Sequence, residues 1–186
     1  IERLEERSGM VAVASPCNPS GAPVPVPDLL RLSEAAQRVG AVLLADLAYV
    51  EFADEDPTAA LLGYENVVVV RTFSKAFGLA GLRMGYAIAS VTVAGWMRAV
   101  GGPYPVSGPS LAVARGALVS DSSAYIERVR LERNELADRL QAMGARVQTS
   151  SAHFVLARFD DATAVWARLT AAGVAVRRFT RRPGLD

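Results

Sequence analysis

The sequence is nearly empty of the side chains that most often carry chemistry. Its 186 residues hold one cysteine, Cys17, one histidine, His153, and one lysine, Lys75. A single cysteine excludes an intramolecular disulfide framework and fits a reducing compartment, so a cytoplasmic setting is expected. One cysteine and one histidine cannot make a metal site between them. Neither sign of charge is in excess: the formal net charge is +1, which gives no reason to expect nucleic acid as a partner. No apolar run approaches the length that spans a bilayer, and the start shows no signal-peptide pattern, so no membrane partner is expected. Internal repeats and low-complexity tracts are also missing. What is there is apolar: 51% hydrophobic against 21% charged, the balance of a globular protein with a sizeable core in one or two domains. The first residue is Ile1, not Met, so the chain is expected to be a piece of a longer protein.

The scarcity of lysine has the sharpest consequence. Of the 20 basic residues all but Lys75 are arginine. Arginine stays charged at any working pH, whereas a lysine can lose its proton on burial or beside another cation and then attack a carbonyl to form a Schiff base. Lys75 sits at the end of the apolar run Val67-Val68-Val69-Val70, a strand by its β-branched composition. Two hydroxyl residues, Thr72 and Ser74, precede it, and Gly78, Gly81, Arg83 and Gly85 follow. Taken alone, a lysine at a strand end is an ordinary solvated residue; in this company it reads as an amine kept for chemistry.

Elsewhere the chain alternates strands and helices. Ile1 to Ser8 reads as a solvated helix end or linker. Met10 to Ala14 reads as a buried strand, followed by the turn Ser15-Pro16-Cys17-Asn18-Pro19-Ser20-Gly21. Pro27 to Val39 has helix spacing, with proline in its first turn and Gly40 placed to end it. Ala41 to Ala45 is the next strand, so the unit is βαβ and the sheet is expected to be parallel. Asp46 follows at the carboxyl end of that strand, where open α/β sheets bind ligands, with Tyr49 three residues on. By themselves Asn18 suits a turn, Asp46 a helix N-cap and Tyr49 half-buried packing. Asp54 to Pro57 reads as a solvated acidic loop. Gly85 to Ser90 is a strand, and helices are expected over Val91 to Val100, Ser110 to Val119 and Ser123 to Met143, the last amphipathic and arginine-rich. Ala145 to Thr149 and His153 to Phe159 read as strands, 161–172 as a helix closed by Gly173, and Val174 to Phe179 as a last strand. A β-β-α-β set after a long helix suggests a smaller α+β domain. His153, with no partner nearby in sequence, reads as structural. Cys17 reads as a small buried residue and not a nucleophile, because no histidine lies near it in sequence.

The segment Thr72-x-Ser74-Lys75-x-x-Gly78-x-x-Gly81-x-Arg83-x-Gly85-Tyr86 closely resembles the lysine segment of the aspartate-aminotransferase-like enzymes, which depend on pyridoxal 5'-phosphate. The resemblance implies that Lys75 is the catalytic residue and holds the cofactor as a Schiff base. It implies that Thr72, Ser74 and Arg83 face the phosphate, where hydroxyls and a fixed guanidinium suit a dianion. Asn18, in a strand-then-Asn-Pro-x-Gly setting, and Tyr49, in Asp46-Leu47-Ala48-Tyr49-Val50-Glu51-Phe52, would both meet the phenolic oxygen. Asp46 would pair with the protonated pyridine nitrogen, keeping the ring an electron acceptor. Leu47 stands where relatives carry glutamate, which takes a charge away from the neighbourhood.

Further segments, from Arg71 to Arg83, Pro103 to Ser107, Ala152 to Phe159 and Gly173 to Arg177, in this order, resemble the histidinol-phosphate aminotransferase branch. That resemblance implies an amino donor such as histidinol phosphate, with 2-oxoglutarate as acceptor, in a homodimer, and places Arg177 on the substrate's acidic groups. Arg177 reads equally well as a solvated residue of a tail with Arg178, Arg181 and Arg182. In that branch an asparagine is usual where His153 stands. The fold implied is α/β: a mainly parallel sheet flanked by helices, residues 1–122 forming part of a large cofactor-binding domain and residues 123–186 a connecting helix with part of a small α+β domain. Relatives carry further segments at both ends, so this length of chain is expected to bind the cofactor weakly and turn over poorly. An aromatic aminotransferase or a threonine-phosphate decarboxylase would use the same cofactor residues. The sensor domain of a transcription regulator would need a DNA-binding module upstream. A nucleotide-binding module is disfavoured because the glycine spacing matches neither G-x-G-x-x-G nor a phosphate loop.

Overall fold

A computed structural model describes residues 9–179. The expectations for Ile1 to Ser8 and for Arg181 and Arg182 lie outside the described residues. Strands β1 (Met10–Ala14), β2 (Val42–Asp46), β3 (Val67–Thr72) and β4 (Gly85–Ala89) form one sheet in that order. β1, β2 and β3 run parallel and β4 antiparallel, so the sheet is mixed but mainly parallel, with helices against it. The first crossover is helix α1 (Val26–Arg38) and the second includes the short helix α2 (Thr58–Leu61).

Period-two alternation sets the sheet's buried face. Leu43 and Ala45 of β2 and Val67 and Val69 of β3 meet Leu29 and Ala36 of α1, and all six are fully buried. The amide of Asn66 fastens the edge of this core by donating to the carbonyls of Ser33 and Ala41, at 3.3 and 3.0 Å. Gly40 ends α1 as its place in the sequence suggests. At φ +69° its N–H bonds the Gln37 carbonyl and the next N–H, of Ala41, bonds Ala36. Gly144 closes helix α5 (Ser123–Ala142) the same way at φ +89°.

Along the chain, β4 is followed by helices α3 (Val91–Val100) and α4 (Gly108–Val119), each started by a serine side chain, Ser90 and Ser107, that accepts a backbone N–H of the first turn. That cap lets α4 begin two residues before the expected Ser110. After α5 come the antiparallel pair β5 (Arg146–Gln148) and β6 (Leu156–Arg158), and helix α6 (Ala162–Ala171). Both strands are shorter than the sequence suggests. The strand expected over Val174 to Phe179 does not form: the segment is without secondary structure, and Val174 and Val176 are exposed. Its alternating valines suit a ladder, but a strand exists only by pairing, and no described strand pairs with it. The set after α5 is therefore β-β-α. Helix α5 is amphipathic as expected: half-buried positions recur at Ile126, Val129, Arg130, Arg133, Ala137 and Leu140, although none of its residues is fully buried.

Candidate functional site at the carboxyl edge of the sheet

The register of the sheet brings three loops to one edge. Asp46 pairs with Ala14 on one side and Val70 on the other, so β1, β2 and β3 finish close together. Two bonds carry the ladders past the strand ends, from Ser15 N to the Asp46 carbonyl at 3.0 Å and from Leu47 N to the Val70 carbonyl at 2.9 Å. The loops bearing Asn18, Tyr49 and Lys75 thus leave from the edge at which parallel α/β sheets take ligands.

Each loop is held by its own bonds. In the first, the buried Ser15 hydroxyl accepts the Val24 N–H at 2.9 Å, and Cys17 N bonds the Ala22 carbonyl, leaving Asn18 exposed at the tip. Cys17 is a half-buried free thiol. In the second, Asp46 Oδ1 accepts the Ala48 N–H at 3.0 Å, which leaves its other oxygen open at an exposed position. Leu47 points the opposite way and is fully buried in the core. A carboxylate in that place would be stripped of water, so the leucine is a packing choice rather than a charge removed from the site. Tyr49 then leads into a 3₁₀ turn, Val50–Phe52, pinned to the third strand by a buried ion pair. Arg71 reaches Glu51 at 2.9 Å and Asp56 at 2.9 Å. Burial works against the Arg71 charge, but the two carboxylates outweigh it and hold its pKa above the ordinary arginine value. Asp56 is pushed below the usual carboxylate value: its partial burial opposes this, and bonds from Thr58 and the Arg71 charge prevail.

In the third loop Phe73 and Ala76 point inward, 4% and 2% exposed, and turn Ser74 and Lys75 toward the edge. Thr72 Oγ1 accepts the Ser74 N–H at 3.1 Å and donates to the Met84 carbonyl at 3.3 Å, tying the loop to the segment before β4. Gly85 allows that approach: a side chain there would meet the Arg71 carbonyl oxygen at 2.6 Å.

The side chains gather as follows. Asn18 Nδ2 donates to the Tyr49 hydroxyl at 2.9 Å, so the phenol keeps its own hydrogen to give elsewhere. Lys75 Nζ lies over the Tyr49 ring, 5.6 Å from its centroid. Asp46 stands three residues before Tyr49 at the end of β2, and Ser74 immediately precedes Lys75 with Thr72 two residues before that. Arg83 has no contact with these side chains among the described interactions. It adopts a left-handed conformation, φ 54°, is exposed, and donates to the Ala80 carbonyl at 3.0 Å. Arg177 lies in the exposed segment after α6 with its guanidinium 4.9 Å from the Phe179 ring centroid, in the tail-like setting.

One residue set aside by sequence reasoning joins the group. The His153 ring stacks on Tyr49, with centroids 5.3 Å apart and planes 30° apart, and also packs against Phe52 and Phe154. Loss of hydration on its packed side, with the Lys75 charge added, pushes its pKa below the ordinary histidine value. The only sequence signal was the odd residue in a segment where relatives carry asparagine. The contact is between residues about a hundred positions apart, which no local pattern announces.

An amine, a phenol with a free hydrogen, an amide and a carboxylate thus stand along one sheet edge. The fold is that of an α/β protein with a mainly parallel sheet, and the chain belongs to the class I and II aminotransferase family, whose profile covers residues 1–183. It is 41% identical over 178 residues to the histidinol-phosphate aminotransferase of Streptomyces avermitilis, covering 93% of this chain and 48% of that protein. Among solved structures it is similar to the histidinol-phosphate aminotransferase of Sinorhizobium meliloti in complex with pyridoxal-5'-phosphate, with a TM-score of 0.78 at 28% identity over 90% of this chain and 48% of that one. It is also similar to the L-threonine-O-3-phosphate decarboxylase of Porphyromonas gingivalis, with a TM-score of 0.83 at 25% identity over 100% of this chain and 59% of that one. The chain spans about half the length of the curated histidinol-phosphate aminotransferases it matches.

Proposed function

We propose that this chain carries the lysine-bearing part of a pyridoxal 5'-phosphate-dependent aminotransferase that takes the amino group of histidinol phosphate and passes it to 2-oxoglutarate, in histidine biosynthesis. The observation that carries the reading is the gathering of Asn18, Tyr49 and Lys75 at the carboxyl edge of the sheet. The names of the similar proteins supply the donor. In this reading Lys75 holds the cofactor's aldehyde carbon, Asn18 and Tyr49 donate to its phenolic oxygen, and Asp46 accepts from its ring nitrogen. Thr72, Ser74 and Arg83 take the phosphate, Thr72 by releasing the Met84 carbonyl and Arg83 the Ala80 carbonyl. Arg177 is assigned to the substrate's acidic group. When bound, the cofactor supplies an electron sink for the donor's α-carbon. The chain's own part is to orient the donor, to take the α-proton on Lys75 Nζ as a free amine, and to return it on the same face. Residues 1–122 are read as part of a large cofactor-binding domain and residues 123–186 as a connecting helix with part of a small one. A homodimeric, cytoplasmic parent enzyme completes the reading.

The test is to incubate the chain with pyridoxal 5'-phosphate, trap with borohydride, and map the modified peptide. Modification at Lys75 in the native chain, and its loss in Lys75→Arg, is the expected result; a label confined to the α-amino group would refute it. The likeness to a threonine-phosphate decarboxylase over the whole chain favours one second reading, in which the same residues serve decarboxylation of a phosphorylated amino acid. A donor screen with the parent enzyme separates the two by product: a keto compound, or carbon dioxide with an amine.

A further inference from the structure

Tyr49 is shared between two halves of the chain. Asn18 and Lys75 approach it from the loops after β1 and β3. His153 and Phe154 approach it from the segment before β6, stacked and edge-on, each with ring centroids 5.3 Å away. The backbone on both sides of this contact is stitched down. Arg133 of α5 donates to the Phe52 carbonyl at 3.3 Å and to the Ala152 carbonyl at 3.1 Å, flanking the 3₁₀ turn after Tyr49 and the residue before His153. Ala152 is fully buried, and Ser151 N bonds the Gly21 carbonyl at 2.8 Å. His153 therefore has a fixed backbone and a ring with one aromatic face to lie on.

We propose that His153 is a positioning residue of the Lys75 site: its uncharged ring, stacked on Tyr49, holds the phenol toward Asn18 beneath the lysine, and it senses whether that lysine carries charge. His153 keeps an exposed outer side, but an imidazolium here would pack its inner side on Tyr49, Phe52 and Phe154 with the Lys75 ammonium over the same phenol. The groups facing it are the Lys75 amine from the loop after β3 and the Tyr49 phenol from the loop after β2, while Arg133 from α5 is held on the carbonyl of the preceding residue, Ala152. Asp54, the carboxylate acting on Arg133, is paired with Arg130. Partial loss of hydration and the Lys75 charge both disfavour protonation of the ring. By linkage, removing the charge of Lys75 makes His153 easier to protonate.

The chain contains one histidine and one lysine, so both groups are read without assignment work. The first measurement needs no cofactor. The pH titration of the single histidine Cε1–H resonance is recorded for the native chain and for the chain acetylated on its one lysine. An upward move of the midpoint on acetylation is expected, and an unmoved midpoint overturns the proposal. The second measurement is the rate of covalent attachment of pyridoxal 5'-phosphate in native, His153→Phe and His153→Ala chains. His153→Phe keeps the stacked ring and is expected to keep the rate while losing its inflection below pH ~6.5. His153→Ala is expected to slow attachment by roughly 2- to 10-fold, the worth of one aromatic contact. Unchanged rates and an unchanged pH profile in both variants overturn the proposal. Should the alanine chain fail to fold, acetylation and His153→Phe decide. This second arm rests on the reading of Lys75 as the attachment point. If no attachment occurs at Lys75 in the native chain, that reading falls while the first arm still judges His153.

Discussion

Lys75 Nζ, 5.6 Å from the Tyr49 ring centroid, and Asn18 Nδ2, 2.9 Å from the Tyr49 oxygen, make the phenol the hub of the residue-scale account. Tyr49→Phe removes the shared hydroxyl but leaves the ring for His153 and Lys75. Because Asn18 is exposed, its amide finds water, so the melting temperature should hardly move, while affinity for pyridoxal 5'-phosphate falls by about 3- to 10-fold, one hydrogen bond's worth, in an equilibrium titration. Arg71 is the contrary case. Its side chain is 15% exposed and its partner Glu51 10%, so Arg71→Met strands a carboxylate in the turn that carries Tyr49. The expected cost is roughly 3 kcal/mol in urea unfolding, largely relieved when Glu51→Gln is added. His153 predicts a pH dependence. Its folded-state pKa lies below the unfolded value, so the unfolded chain binds the extra proton as pH falls through 6.5. Stability contributed there is complete above that pH and is lost as pH drops toward the folded value. A melting temperature that declines between about pH 7 and 5, and declines less in His153→Phe, is the expected reading.

At the scale of elements, what could be read from the sequence was whatever is decided locally. β1, α1 and β2 were legible because apolar runs, a first-turn proline and Gly40 act within a few residues of one another. The lysine loop was legible through its resemblance to the lysine segment of the family. What depends on partners was not. The valines of 174–179 alternate as a strand should and remain unpaired by any strand, and nothing in Gly85–Ala89 announces that it turns antiparallel. Site residues divide the same way: Asn18, Tyr49 and Lys75 meet as their motifs suggest, whereas His153 enters through tertiary packing alone. Arg83 stays on the Ala80 carbonyl, its fixed backbone known only from its left-handed φ. Gly21 shows how one small residue governs two elements. It has φ +74°, and an added methyl would fall 2.6 Å from the Ser150 Cβ and nearer still to its hydroxyl. Gly21→Ala should therefore cost about 1–3 kcal/mol through strain and open the seam to β5 and β6. Faster amide exchange at Ser151 than in the native chain is the measurement that checks it.

For the molecule as a whole, the buried core lies chiefly between the sheet and α1, while α3 and α4 carry large apolar side chains outward. Trp96 is 62% exposed, Leu118 57% and Val119 87%. A helix apolar on most sides ordinarily sits inside something. In solution, the folded chain of this length is expected to bind a hydrophobic dye, and Leu118→Glu with Val119→Glu to cut that fluorescence by at least about half without altering the far-ultraviolet dichroism. None of the described helices is long and apolar enough to cross a membrane. The lone lysine has a last effect at this scale. A lysine-specific endoproteinase has one bond to cut, after Lys75, and the neighbouring Ala76 is only 2% exposed. The folded chain should resist the enzyme and the denatured chain should fall into two fragments. Any chain whose amine was sealed beforehand would stay whole, so an ordinary gel would count occupied molecules one by one.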